Sequence, residues 1–131
     1  MKIYLSVPMI ANRALGRAKL MAKALEDSGH EVSSPWVLGP VERSGLTGVD
    51  VYQRDTQGAE QCDLLVADVS EPSIGVGMEI MAAHKAGKKV VLVVKRGRVI
   101  SRMLQHMDNR EFVEYGTEDD LYESLRRALS A

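Results

Sequence analysis

Two carboxylates, Glu79 and Asp55, stand where an acid needs a reason. Glu79 closes the stretch SEPSIGVGME (residues 70–79), at the predicted start of a helix and flanked by Val76, Met78, Ile80 and Met81. A carboxylate in the first turn of a helix is stabilised in its charged form by the helix N-terminus, and apolar neighbours leave it poorly hydrated. That combination keeps a glutamate ionised, aimed and nucleophilic. Asp55 shares a helical stripe with Tyr52, Ala59 and Cys62. Acids are rarely buried unless paired, so either Asp55 sits at the helix edge in water or it lines a crevice as a second carboxylate. In the second case the two could flank a glycosidic bond, one attacking while the other handles the proton of the leaving group.

The stretch before Glu79 also admits a plainer reading: a tight turn made by Pro72, Gly75 and Gly77, with Ser73 capping the next helix. A dinucleotide fingerprint needs G-x-G-x-x-G after the first strand. Here only Gly75 and Gly77 match, after the third strand, and Ile80 takes the last glycine's place. No G-x-x-x-x-G-K-[ST] phosphate loop is present. A receiver-type signalling domain needs acids at the end of its first strand, where this chain has SVPMI (residues 6–10).

Positioning these groups falls to alternating strands and helices. Residues 3–7 read as a first strand. In the helix after it, Leu15, Ala18, Ala22 and Leu25 recur at three- and four-residue steps. Asn12 is its expected N-cap, and Gly29 fits the left-handed position past its end. HEVSSPW (30–36) predicts a short second strand that Pro35 ends, and residues 38–49 a long surface loop. The helix with Asp55 spans 50–62. DLLVADV (63–69) and KKVVLVVK (88–95) are apolar enough for strands buried on both faces. A helix over 77–87 follows Glu79's motif. Residues 98–107 hold a short helix and 111–115 an edge strand. A last helix follows from Thr117, its N-cap, with acids in the first turn.

Such alternation means an α/β fold. We expect one domain over residues 1–131, a flavodoxin/Rossmann-like three-layer sandwich with a five-stranded, mostly parallel sheet in the order 2-1-3-4-5. Ligands bind such sheets at the carboxyl ends of the strands, near the switch between strands 1 and 3. The Glu79 motif follows strand 3.

The bulk numbers agree with a globular domain. Of 131 residues, 45% are hydrophobic and 27% charged, and 17 bases against 18 acids leave a net charge of -1. That balance argues against a binder of nucleic-acid polymers or membrane surfaces, while leaving room for one small anionic ligand. The single cysteine, Cys62, excludes an intrachain disulfide and a cysteine-based zinc site. His84 has no second histidine nearby, and His30 and His106 form no cluster, so no metal site is expected. No segment approaches the ~18 apolar residues of a membrane span, and the N-terminal apolar run is too short for a secretory signal. The expectation is a cytoplasmic protein that needs neither metal nor cofactor.

The motifs resemble a known family. Arg54-Asp55 on a helix, CDLLVADVSEPSIGVGMEIMAAHKAGKKVVLV (62–93) and GRVISRML (97–104) are similar to the 2'-deoxynucleoside 5'-phosphate N-hydrolases of the nucleoside 2-deoxyribosyltransferase superfamily. The resemblance implies hydrolysis of the N-glycosidic bond of 2'-deoxynucleoside 5'-monophosphates to free base and 2-deoxyribose 5-phosphate. It implies Glu79 as the nucleophile that forms a glycosyl-enzyme, Asp55 as the aid to the departing base, and Tyr4 as the residue that orients the glutamate. Ser73 and the amides around Gly75 to Gly77 would hold the 5'-phosphate. Ser101 would reach that phosphate from the partner subunit of a homodimer.

One stretch departs from the family pattern. Where the hydrolases resemble Y-F-C-G-S-I-R, this chain has YLSVPMI, so Pro8 and Ile10 replace the serine and arginine that touch the phosphate. Arg13 or Lys19 could substitute. A phosphate ~6 Å from Glu79 would repel it by about 1–3 kcal/mol per charge pair. Arg98 and Arg102, which flank Ser101, are either the offsetting cations or ordinary exposed arginines. Trp36 either stacks on a base from the crevice edge or packs in core and loop; Met103 and Met107 suit dimer or core packing. Two alternatives to the hydrolase remain. One is a transferase exchanging bases on unphosphorylated deoxynucleosides, and the other a nucleotide-binding module without turnover.

Overall fold

The computed structural model describes residues 1–10, 14–39 and 45–130. Asn12, expected to cap the first helix, and Arg13, a candidate phosphate ligand, lie outside the described residues. Five strands, β1 (Lys2–Ser6), β2 (Glu31–Val32), β3 (Leu64–Asp68), β4 (Lys89–Lys95) and β5 (Arg110–Tyr115), form one sheet in the order β2-β1-β3-β4-β5. The order is the one expected, and all four pairings are parallel.

Period-two alternation along the strands builds two cores. Ile3, Leu5, Leu64, Val66, Val91 and Val93 pack with α1 (Leu15–Asp27) and α5 (Glu118–Leu129). Tyr4, Leu65, Ala67, Val90 and Leu92 pack with α2 (Gly48–Gln61) and α3 (Ile74–Lys85). Tyr4 therefore faces the α2/α3 layer, and so does Ser6 two residues on. The expected α1 stripe is buried at Ala18, Ala22 and Leu25, and Gly29 takes a φ of +89° just beyond the helix.

Three boundaries differ from expectation, each for a local reason. β2 stops after two residues because the Ser34 hydroxyl takes over the ladder, accepting from Leu5 N (2.9 Å) and donating to Leu5 O (2.8 Å). Pro35 then opens a 3-10 turn, Pro35–Leu38, that carries Trp36. α2 starts at Gly48 because Thr47 and Asp50 form a reciprocal capping box, with both bonds at 3.1 Å. Its first six residues are all exposed, so Tyr52 does not share the burial of Ala59 and Cys62.

The third difference bears on chemistry. α3 starts at Ile74, since the Ser73 hydroxyl caps it by accepting from Val76 N at 3.3 Å. Gly75 and Gly77 are thus inside the helix, with negative φ and open space where a side chain would go. They do not make a tight turn. Glu79 becomes the sixth residue of α3, in its second turn rather than its first.

A polar network fixes where α3 begins. Arg17 Nε donates to Asp68 Oδ2 at 2.9 Å, and Ser70 N donates to Asp68 Oδ1 at 3.1 Å. The Ser70 hydroxyl meets the Tyr115 hydroxyl at 3.1 Å and accepts from Lys95 N at 3.1 Å. The turn after β3 is thereby tied to α1, β4 and β5. At the far edge, the short helix α4 (Arg102–His106) leads into β5, which pairs only with β4. Asp120 accepts from the amides of Gly116 and Thr117 at the head of α5. No helix among the described residues is long and apolar enough to cross a membrane.

Candidate active site

The site is built on Tyr4. Its ring is fully buried on β1, edge-on to Trp36 with centroids 6.0 Å apart and planes at 65°. The ring also lies against α2 at Gly58, so closely that a β-carbon there would fall 2.7 Å from Cε2 of Tyr4 and 3.9 Å from Cη2 of Trp36. Glycine inside a helix costs stability relative to alanine, and here it makes room for the tyrosine. The hydroxyl is left pointing among Glu79, Asp55 and Arg54, the charged groups that act on it.

Glu79 is half-buried on α3, facing the hydroxyls of Tyr4 and Ser6. Burial pushes its pKa up to about 7. The Tyr4 hydroxyl opposes that, the Asp55 charge adds to it, and the Ser6 hydroxyl and Arg54 oppose it again. The helix N-terminus therefore does not keep Glu79 fully ionised: its field fades beyond the first turn, and Glu79 sits in the second. Burial and the Glu79 charge drive the Tyr4 pKa far above the usual phenol range, so Tyr4 stays a neutral donor. Both hydroxyls are buried, yet neither reaches a hydrogen bond of full geometry with a protein atom among the described residues.

Asp55 lies in this crevice rather than out in water. Its side chain is 25% exposed and accepts from Arg54 Nε at 2.9 Å. The Arg54 guanidinium lies 4.3 Å above the Trp36 ring. Of its two expected roles, Trp36 plainly fills packing, wedged between Tyr4 and Arg54, and one of its faces is already taken.

The expected phosphate ligands fall at the head of α3. Ser73 Oγ accepts from Val76 N, which leaves its proton free to donate, whereas Gly77 N is committed to Ser73 O at 3.1 Å. The amides of Ile74 and Gly75 carry no hydrogen bond among the described residues. Ser101 caps α4, accepting from Met103 N at 3.2 Å, and both it and Arg102 are exposed. Lys19 is exposed too, while Arg17, one turn into α1, is held by Asp68 and stands 3.8 Å from Glu71.

An apolar groove of about 990 Å³ runs between α3 and residues 99–107, which include α4. Ser73, Gly77, Met81, Val99, Ser101 and Met103 line it, and Tyr4, Asp55 and Glu79 do not. At 3.6 residues per turn, Glu79 points about 160° away from Gly77 and Met81 around α3. The carboxylate site and the groove thus occupy opposite flanks of one helix. Val99 is 92% exposed and Met103 73%, whereas Met107 packs against the core. His84, at the groove's end, pairs with Asp108 at 3.3 Å. No group of three or more metal-ligating side chains occurs among the described residues.

The structure thus brings Tyr4, Asp55 and Glu79 together, and adds three residues that sequence reading passed over. Ser6 was legible as the same-face neighbour of Tyr4 on a strand. Gly58 was legible as a glycine interrupting a helical pattern. Arg54 was visible beside Asp55, but nothing in the sequence joined it to Trp36.

Comparison with known proteins supplies a context for this geometry. The sequence profile described as nucleoside 2-deoxyribosyltransferase matches residues 3–121. A relative from Thermofilum pendens is 37% identical over 98% of this chain and 95% of its own length. It bears the provisional name 2'-deoxynucleoside 5'-phosphate N-hydrolase 1. One from Syntrophotalea carbinolica, with the same provisional name, is 58% identical over 66% of this chain and 63% of its own. Among solved structures, the Clostridium botulinum CMP N-glycosidase superposes with a TM-score of 0.77 at 20% identity, covering 98% of this chain and 99% of that one. At that identity the likeness speaks for the fold.

Proposed function

Because this chain belongs to the nucleoside 2-deoxyribosyltransferase family, we propose that it is an N-glycosidase. It hydrolyses 2'-deoxynucleoside 5'-monophosphates to free base and 2-deoxyribose 5-phosphate. The observation that carries the reading is the convergence of two carboxylates and a neutral tyrosine in one buried crevice at the carboxyl ends of β1 and β3. A buried carboxylate is weakly solvated and so more nucleophilic, and a protonated tyrosine beside it can hold one of its oxygens.

In the first step a Glu79 oxygen attacks C1' of the deoxyribose. The C1'–N bond breaks, its electron pair leaves with the base, and Asp55 handles the proton that the base takes up. Water then attacks C1' from the opposite face, passes its proton to the Asp55 carboxylate, and expels the Glu79 carboxylate. Tyr4 orients Glu79 throughout. The 5'-phosphate lies at the head of α3, on the Ser73 hydroxyl and the open amides of Ile74 and Gly75, where a helix N-terminus favours an anion. Gly77 shapes that end without lending its own amide.

The functional unit is a homodimer. Ser101 lines, with Ser73, a groove on the flank of α3 opposite Glu79, and the family resemblance gives Ser101 to the partner's site. An apolar groove edged by exposed Ile74, Val99 and Met103 suits burial against a second copy. That copy would bring its Ser101, with Arg102 as the offsetting cation, to the phosphate.

Incubation with each of the four deoxynucleoside monophosphates, the matching nucleosides and the ribonucleotides, followed by chromatography of free base, tests the reading. Release from deoxynucleotides alone, lost in Glu79→Ala, is the expected result. Base exchange on unphosphorylated nucleosides would move the activity to the transferase, and no release from any substrate would overturn it.

A further inference from the structure

Nothing so far gives Ser6 a task, yet it is one of the most constrained polar groups in the molecule. It is completely buried at the end of β1, opposite Ala67 in the β1/β3 register, and its hydroxyl lacks a well-formed partner among the described residues. An unmade buried hydrogen bond is costly and calls for an explanation. Packing alone would be served by alanine, which stands at the neighbouring strand position already.

We infer that Ser6 is a second positioning residue for Glu79: its hydroxyl and that of Tyr4 together hold the carboxylate. Strand geometry places the two on one face, two residues apart, toward α3. The nearby hydroxyl of Ser34 is consumed by the Leu5 backbone and does not compete. The charged groups facing Glu79 are Asp55 and Arg54 from α2, with Tyr4 neutral on β1. Arg54 Nε is engaged by Asp55, and Arg54 acts on Glu79 through its charge, while the two hydroxyls act on it as hydrogen-bond donors. The Ser6 contact favours the charged form of Glu79, in the same sense as that of Tyr4.

A carboxylate on a flexible side chain can rotate about its last bonds. One donor fixes a direction, and two donors on the same rigid strand fix the plane. Neither contact needs the ideal geometry in the free protein, since such bonds tighten as substrate closes the site. The inference rests on Glu79 being the nucleophile, and its test keeps the two claims apart.

Glu79 is to be titrated directly by 13C NMR of carboxyl-labelled protein, with Glu79→Gln assigning the resonance, in the wild type, Ser6→Ala and Ser6→Thr. Base release from deoxynucleoside monophosphates is measured on the same proteins across pH. In Ser6→Ala the titration midpoint should rise. Near neutral pH kcat should fall about tenfold with KM little changed, as for loss of one hydrogen bond to a charged group. Ser6→Thr should restore both. A Glu79 midpoint unmoved in Ser6→Ala would overturn the inference whatever the activity. A shifted midpoint in a protein that releases no base would sustain the Ser6–Glu79 contact while sinking the nucleophile.

Discussion

A β-carbon added to Gly58 would lie 2.7 Å from Cε2 and 3.0 Å from Cδ2 of Tyr4. No real β-carbon sits that close, so the ring, the helix or both must move. The ring cannot easily retreat, because it is fully buried and Trp36, whose Cη2 lies 3.9 Å from that same β-carbon position, crowds it too. Gly58 and Trp36 therefore form the slot that sets where the Tyr4 hydroxyl ends up relative to Glu79.

Gly58→Ala separates position from stability. Alanine favours the helix by up to about 1 kcal/mol, and overlap with the ring costs about 1–3 kcal/mol, so the protein should stay folded. Base release should nonetheless drop at least tenfold, because a displacement of a fraction of an ångström spoils the alignment of a nucleophile. In a Tyr4→Phe background the same substitution should cost far less, since no hydroxyl is left to misplace. Rates for the two single variants and the double variant check this; full additivity would show that Gly58 acts independently of Tyr4.

The raised pKa of Glu79 has a sign that stability must obey. With a folded value of about 7 against an ordinary 4.5, the folded state holds a proton that the unfolded chain has lost between those values. Stability therefore falls as pH rises from about 4.5 to about 7 and levels off above, a loss of at most about 3 kcal/mol for this group. Glu79→Gln cannot ionise. It should melt several degrees above the wild type at pH 8.5 and close to it at pH 4.5, by calorimetry at both. An equal difference at the two pH values would mean that Glu79 is not the buried, destabilised acid described here. In the wild type, kcat/KM should climb with pH through about 7, as the nucleophile ionises.

How much of this was readable beforehand follows from the range of the forces involved. Strand order, two-sided burial of β3 and β4, and the α1 stripe follow from local periodicity, and periodicity is written in the chain. The Ser73 cap was legible too. What it displaced was less obvious: once serine caps at 73, the helix claims Gly75 and Gly77, and Glu79 moves into the second turn. That three-residue shift changed the electrostatic account of Glu79 from a charge held by the helix end to one resisted by burial. Asp55 was ambiguous because edge and crevice are the same stripe until the helix is docked. Ser34 ending β2, and Arg54 over Trp36, depend on side chains meeting across a fold, for which the sequence carries no local sign.

The opposed flanks of α3 lead to an experiment on subunit sharing. If Ser101 serves the partner's site, Glu79→Gln and Ser101→Ala impair different sites within a mixed dimer. The site with an intact Glu79 then receives an intact Ser101 from the other chain, and its counterpart carries both lesions. Random pairing of equal amounts makes half the dimers mixed, each with one whole site, so activity should recover to about a quarter of wild type. The two variants should be co-refolded to let subunits exchange, and phosphorylated substrate used, because Ser101 acts on the phosphate. If Ser101 instead served its own chain, every site in the mixture would carry one lesion, and co-refolding would give no more than the mean of the two variants. Substituting Met103→Glu in the groove should abolish the recovery and shift the mass in light scattering to that of a monomer. A charge buried without a partner is costly enough to open an apolar interface.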